Sequence, residues 1–166
     1  MMRYKLLFFL IATMLSAEMN ASNGNDFTPI SNVFADKIGK ENARLIFEAD
    51  SIVAHLTIWE TDSLPCKVLT PSDCSIVKYT LCQPVMFSTD KRIYSSFYAD
   101  VRLVIYNGSS SLTLELDYNI NKWRLMDEKG KQLCRYDLRY TELLSLFRML
   151  WPESKNIKIK YEKFSD

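Results

Sequence analysis

The chain predicts an α+β fold, in which an antiparallel β-meander packs on a C-terminal amphipathic helix and is preceded by a short N-terminal helix and strand. Three observations predict it. From Ala99 to Tyr136, apolar and polar residues alternate with the two-residue period of half-buried strands. Asn107-Gly108 interrupts that alternation with a pair that tolerates positive φ, a hairpin signal. Leu143, Leu146, Phe147 and Leu150 then recur at the spacing that draws one stripe along a helix.

The elements follow in order. Arg3 and Lys5 precede the apolar run Leu6 to Leu15, and small and polar residues follow from Ser16 to Asn25. A charged, then apolar, then small-residue order is what a secretory translocon reads. The run is too short to span a bilayer, which takes about 20 residues. Residues 1–21 therefore read as a signal peptide, with cleavage after Ala17 or Ala21, and no stable membrane insertion is expected. Residues 22–31 read as a flexible linker, and 32–166 as a single α+β domain.

A helical stretch broken by Gly39 runs from Val33 to Ala49. Ser51 to Trp59 alternates as a strand, with Ile52, Ala54, Leu56 and Ile58 on one face and His55 on the other. Glu60 to Asp73 reads as a loop holding Pro65 and Pro71. Ser75 to Leu81 reads as a strand on the β-propensity of Ile76, Val77, Tyr79 and Thr80. Pro84 ends it or opens a short helix toward Tyr94.

The meander has Val101 to Tyr106, Leu112 to Asp117, Trp123 to Leu125 and Gln132 to Tyr136 as strands. Turns fall at Asn107-Gly108, Asn119 to Asn121 and Asp127 to Gly130. The amphipathic helix covers Leu138 to Trp151, with Asp137 as its cap and Pro152 as its stop. Beyond it, Ile157, Ile159 and Tyr161 alternate with Lys158, Lys160 and Glu162, as in a lysine-guarded edge strand.

Composition excludes several functions. Removing residues 1–21 takes away Arg3, Lys5 and Glu18 and leaves basic and acidic residues equal in number. That balance lacks the positive footprint of a nucleic-acid binder. Four scattered glycines build no phosphate loop. In an exported chain Cys66, Cys74, Cys82 and Cys134 suggest disulfides. Of the three possible pairings, Cys66–Cys74 with Cys82–Cys134 is favoured, since Cys66 and Cys74 bracket a proline-bent loop. Free buried thiols are the alternative. Zinc is not expected, because no two cysteines have the C-x₂-C spacing.

No constellation of catalytic residues stands out. His55 is the single histidine, so only a Cys–His pair could supply a nucleophile and its base. Glu115 and Asp117 share one strand face, as a glycosidase pair would, but that face reads as solvated. Asp117, Asn119 and Asn121, with Glu128 at the twelfth position, match part of a calcium loop. Lys122 stands where its glycine belongs, and an Asn-rich turn is the simpler account. Asn107-Gly108-Ser109 is also a glycosylation acceptor sequence.

The expected function is a non-enzymatic secreted or periplasmic interaction domain, protein-binding or inhibitor-like. Its partner is another protein, and it needs no cofactor or metal. The alternative is a carbohydrate-related module, either a binding domain or a weak hydrolase. Trp59 and Trp123, both on predicted strands, are its candidate binding residues.

Overall fold

The structure, a computed structural model, describes residues 29–57, 66–89, 96–138 and 142–165. The signal peptide, most of the linker, Trp59 and residues 90–95, which include Tyr94, lie outside the described residues; Pro84 opens a single 3-10 turn, Pro84–Phe87.

One antiparallel sheet organises the fold, with its six strands in the order β2-β1-β3-β4-β5-β6. They are β1 (Ser51–Leu56), β2 (Cys66–Val68), β3 (Val101–Asn107), β4 (Ser110–Asp117), β5 (Lys122–Met126) and β6 (Gln132–Asp137). The helices are α1 (Pro29–Ile38), α2 (Lys40–Phe47), α3 (Pro71–Leu81), α4 (Glu142–Leu150) and α5 (Lys155–Ser165). The α+β architecture and the meander β3 to β6 stand as the alternation predicts.

The inner sheet face forms the core. Ile52, Ala54, Leu103, Ile105, Leu114 and Leu116 are all fully buried there, and the helices supply the opposing layer. Trp123 enters the same layer, and its indole N–H donates to the Met86 carbonyl at 2.7 Å. The stripe of α4 behaves as expected, since Leu143, Leu146 and Phe147 are buried in this core. Gly39, at φ 90, lets the chain turn between α1 and α2.

Four local expectations need correction. Ser75 to Leu81 is helical, as part of α3. Thr70 and Asp73 form a capping box: the Asp73 N–H donates to Thr70 Oγ1 at 3.3 Å, and the Thr70 N–H donates to Asp73 Oδ2 at 3.2 Å. Pro71 occupies the first turn, where its missing N–H costs nothing. Val77, Thr80 and Leu81 bury one helical face. A cap worth about 1 kcal/mol, together with this burial, outweighs a β-propensity that is itself small.

The proposed edge strand after Pro152 is the helix α5. The Ile157 N–H donates to Ser154 Oγ at 3.3 Å, a cap at the helix start. Ile157 is fully buried while Ile159 is 62% exposed, whereas a strand would have put both on one face. The loop expected from Glu60 to Asp73 holds the edge strand β2 at Cys66–Val68 and the start of α3 at Pro71. Asp137 ends β6 and pairs with Lys122 in the interior. The first hairpin turn is Gly108-Ser109 rather than Asn107-Gly108, because Asn107 still pairs with Ser110. Only Gly108 of the two turn residues has positive φ, the pattern of a type II′ turn.

Candidate functional site

All four cysteines are unpaired thiols in the structure. Cys66 is exposed and, by its register opposite His55, belongs to the outer sheet face. Cys74 packs against the core, with its thiol 3.9 Å from the Leu69 carbonyl. The two therefore face opposite sides of the sheet, and the bracketed loop does not bring them together. Cys74 and Cys82 are separated along α3 by about 12 Å, beyond disulfide reach. Burial pushes the Cys82 thiol up to about 12 and the Cys134 thiol up to about 11. Both are neutral near pH 7 and poor nucleophiles.

Sheet pairing places His55 directly opposite Cys66. Its neighbour on the other side is Arg102. A guanidinium only donates hydrogen bonds, so it cannot orient the imidazole by accepting its N–H. The pair thus lacks the third group of a nucleophilic triad at that position.

The carboxylates differ most from the sequence reading. Glu115 and Asp117 are each 1% exposed and do not lie on a solvated face. Glu115 is clamped between two guanidinium groups. Its Oε1 accepts from Arg102 Nε at 2.9 Å and Nη2 at 2.7 Å, and its Oε2 accepts from Arg124 Nε at 2.7 Å. Asp117 turns back on the chain and accepts the N–H groups of Tyr98, Asn119 and Ile120. Neither acid is free to protonate a leaving group. The Asn119 side-chain oxygen takes Lys160 Nζ at 2.8 Å, so this turn directs its oxygens to protein donors rather than to calcium. No cluster of three metal-ligating side chains occurs among the described residues.

Trp123 is 1% exposed and T-stacked on Phe87, so it offers no face to a sugar. Trp59 lies outside the described residues.

What the fold assembles instead is a polar row on the outer face. Cys66, His55, Arg102, Glu115, Arg124 and Arg135 stand opposite one another, strand by strand, across the whole sheet. Arg102 keeps 46% of its side chain exposed and Arg124 28%, over a Glu115 side chain that is 2% exposed. The Phe97 ring lies 4.2 Å from the Arg124 guanidinium and 5.4 Å from that of Arg135. Beside this row, Val53, Val104, Thr113 and Met126 are half-buried and Tyr106 is 39% exposed. At the far end of the same face the charges are buried. Lys122 pairs with Asp137, and Lys160 on α5 bonds Asp100 at 3.0 Å. Burial pushes the Asp100 carboxyl up, and Lys160 beside it pulls it part of the way back.

Sequence reasoning found His55, Arg102, Glu115, Arg124 and Arg135 on strands, read Cys66 as part of a loop, and did not find the row. A cross-strand neighbour is set by register, and Arg102, Glu115, Arg124 and Arg135 belong to four different strands. No helix of the described residues is long and apolar enough to cross a membrane. No family model, curated protein or solved structure matches the chain.

Proposed function

We propose that the protein is an exported, non-enzymatic interaction domain that binds another protein through its outer sheet face. One observation carries this reading. The inner sheet face is packed into the core, while the middle of the outer face presents Arg102 and Tyr106 exposed beside the half-buried Val104 and Thr113. A flat face that mixes guanidinium, aromatic and aliphatic groups has the composition of a protein interface. The buried Trp123 withdraws one of the two tryptophans on which a carbohydrate-binding reading leaned.

The compartment rests on the order of charged, apolar and small residues at the start of the chain. Protein recovered from outside the cytosol is expected to begin between Glu18 and Asn25, as read by N-terminal sequencing. A start at Met1 would remove the case for export.

The surface is tested by photo-crosslinking in cells that make the protein. A photoreactive residue at Thr113, in the middle of the outer face, is expected to give an adduct of discrete mass. The same group at the exposed Lys40 on α2 is expected to give none. Equal labelling from both positions, or none from Thr113, would sink the assignment.

A further inference from the structure

We propose that the molecule docked on the outer face is a second copy of this chain, packed sheet on sheet about a two-fold axis that runs across the strands. The proposal rests on the outer face being the interaction surface, and it names the molecule that binds there.

Strand register draws three rows across that face. An apolar stripe runs along the middle: Val68, Val53, Val104, Thr113 and Met126 stand opposite one another from β2 to β5. Val68 is 70% exposed and the other four are half-buried. Two residues along each strand to one side lie His55, Arg102 and Glu115, in the charged row. Two residues to the other side lie Ser51, Tyr106 and Ser111, opposite one another and without charge. A face with an apolar centre, a charged margin and a neutral margin matches its own copy once that copy is turned over, as an interface between identical surfaces must.

Symmetry fixes the contacts. A turn of 180° about the stripe keeps each strand over its own equivalent and reverses its direction. Val104 then meets the partner's Val104, and Arg102 meets the partner's Tyr106. The Arg102 side chain is 46% exposed and gives Nε and Nη2 to Glu115, which leaves the flat face of its guanidinium for an aromatic ring. Tyr106 is 39% exposed and supplies that ring. The two-fold repeats the contact, so the dimer holds it twice. An axis along the strands would instead lay the charged row on itself. There the Arg102 and Arg124 side chains are 46% and 28% exposed and that of Glu115 only 2%, so cation would meet cation. From β2 to β5 the strands span about 24 Å, and six residues cover about 20 Å, so each copy offers on the order of 500 Å². Both copies together reach about 1,000 Å², the lower bound for a specific interface. The expected association is reversible and micromolar.

Sedimentation equilibrium of the exported chain tests this. The mass is expected to rise from one chain to two as concentration passes through the micromolar range. Val104→Arg, which sets a cation on the axis against its own copy, is expected to abolish association while the chain still unfolds cooperatively in urea. Tyr106→Ala, at an exposed position, should weaken association by roughly tenfold, and Tyr106→Phe, which keeps the ring, should leave it unchanged. Met149→Lys, at a 66% exposed position on α4, should also leave it unchanged. A monomer at about 1 mM would overturn the proposal. So would a dimer that survives both Val104→Arg and Tyr106→Ala, or one that Met149→Lys dissociates. The photo-adduct from Thr113 is expected at twice the mass of the chain. An adduct of any other mass, with no dimer in sedimentation, leaves the interaction surface standing and refutes only self-association.

Discussion

Phe147→Ala is expected to lower stability by about 3–5 kcal/mol, a large share of the roughly 5–15 kcal/mol that holds a small domain together. Phe147 is fully buried. Its ring centroid lies 6.0 Å from that of Trp151 and 6.5 Å from that of Tyr118, so it joins α4 to the end of β4. Truncation removes the transfer energy of the ring and leaves a cavity that aromatic neighbours on two elements cannot close. Met149→Ala is the control: that side chain is 66% exposed and should cost less than about 0.5 kcal/mol. Urea unfolding of the two variants decides the matter. Comparable losses from both would mean that the apolar stripe of α4 is not directed into the core.

Lys122→Met is expected to cost about 3–5 kcal/mol, although methionine is the more apolar residue. The Lys122 and Asp137 side chains are only 7% and 6% exposed. Removing the ammonium takes a buried cation away from Asp137, with Asp117 also facing that position across β4 and β5. Taking one partner from a buried ion pair costs more than the pair contributes. The double variant Lys122→Met with Asp137→Leu should therefore be more stable than Lys122→Met alone. Chemical denaturation of these two variants, of Asp137→Leu and of the wild type gives the coupling. A single variant that loses less than about 1 kcal/mol would show that water reaches this pair.

The acids illustrate where sequence reasoning stopped. Glu115 alternates with Leu114 and Leu116, and alternation correctly places it on the face away from the core. Nothing local indicates that this position is also buried. Its burial comes from Arg102 and Arg124, which arrive from the two neighbouring strands. Trp123 was legible as a strand residue, but alternation alone did not reveal that its indole N–H meets the Met86 carbonyl. The cysteines followed the same pattern. Their spacing allowed pairings, and only the placement of Cys66 on the outer face and Cys74 in the inner layer separated them.

The sequence by itself determined the meander and the buried stripe of α4. Strand alternation, turn residues and helical spacing are properties of neighbours along the chain, and from Val101 to Asp137 they all agree. Tertiary structure decided the rest. The segments at 71–81 and 155–165 are short and rich in residues of β-propensity, where helix and strand differ by fractions of a kcal/mol. A cap at Thr70, another at Ser154 and the burial of Val77 and Ile157 are enough to tip both toward helix. The outer row exists only through register, because six strands had to align before Arg135 could stand directly opposite Arg124.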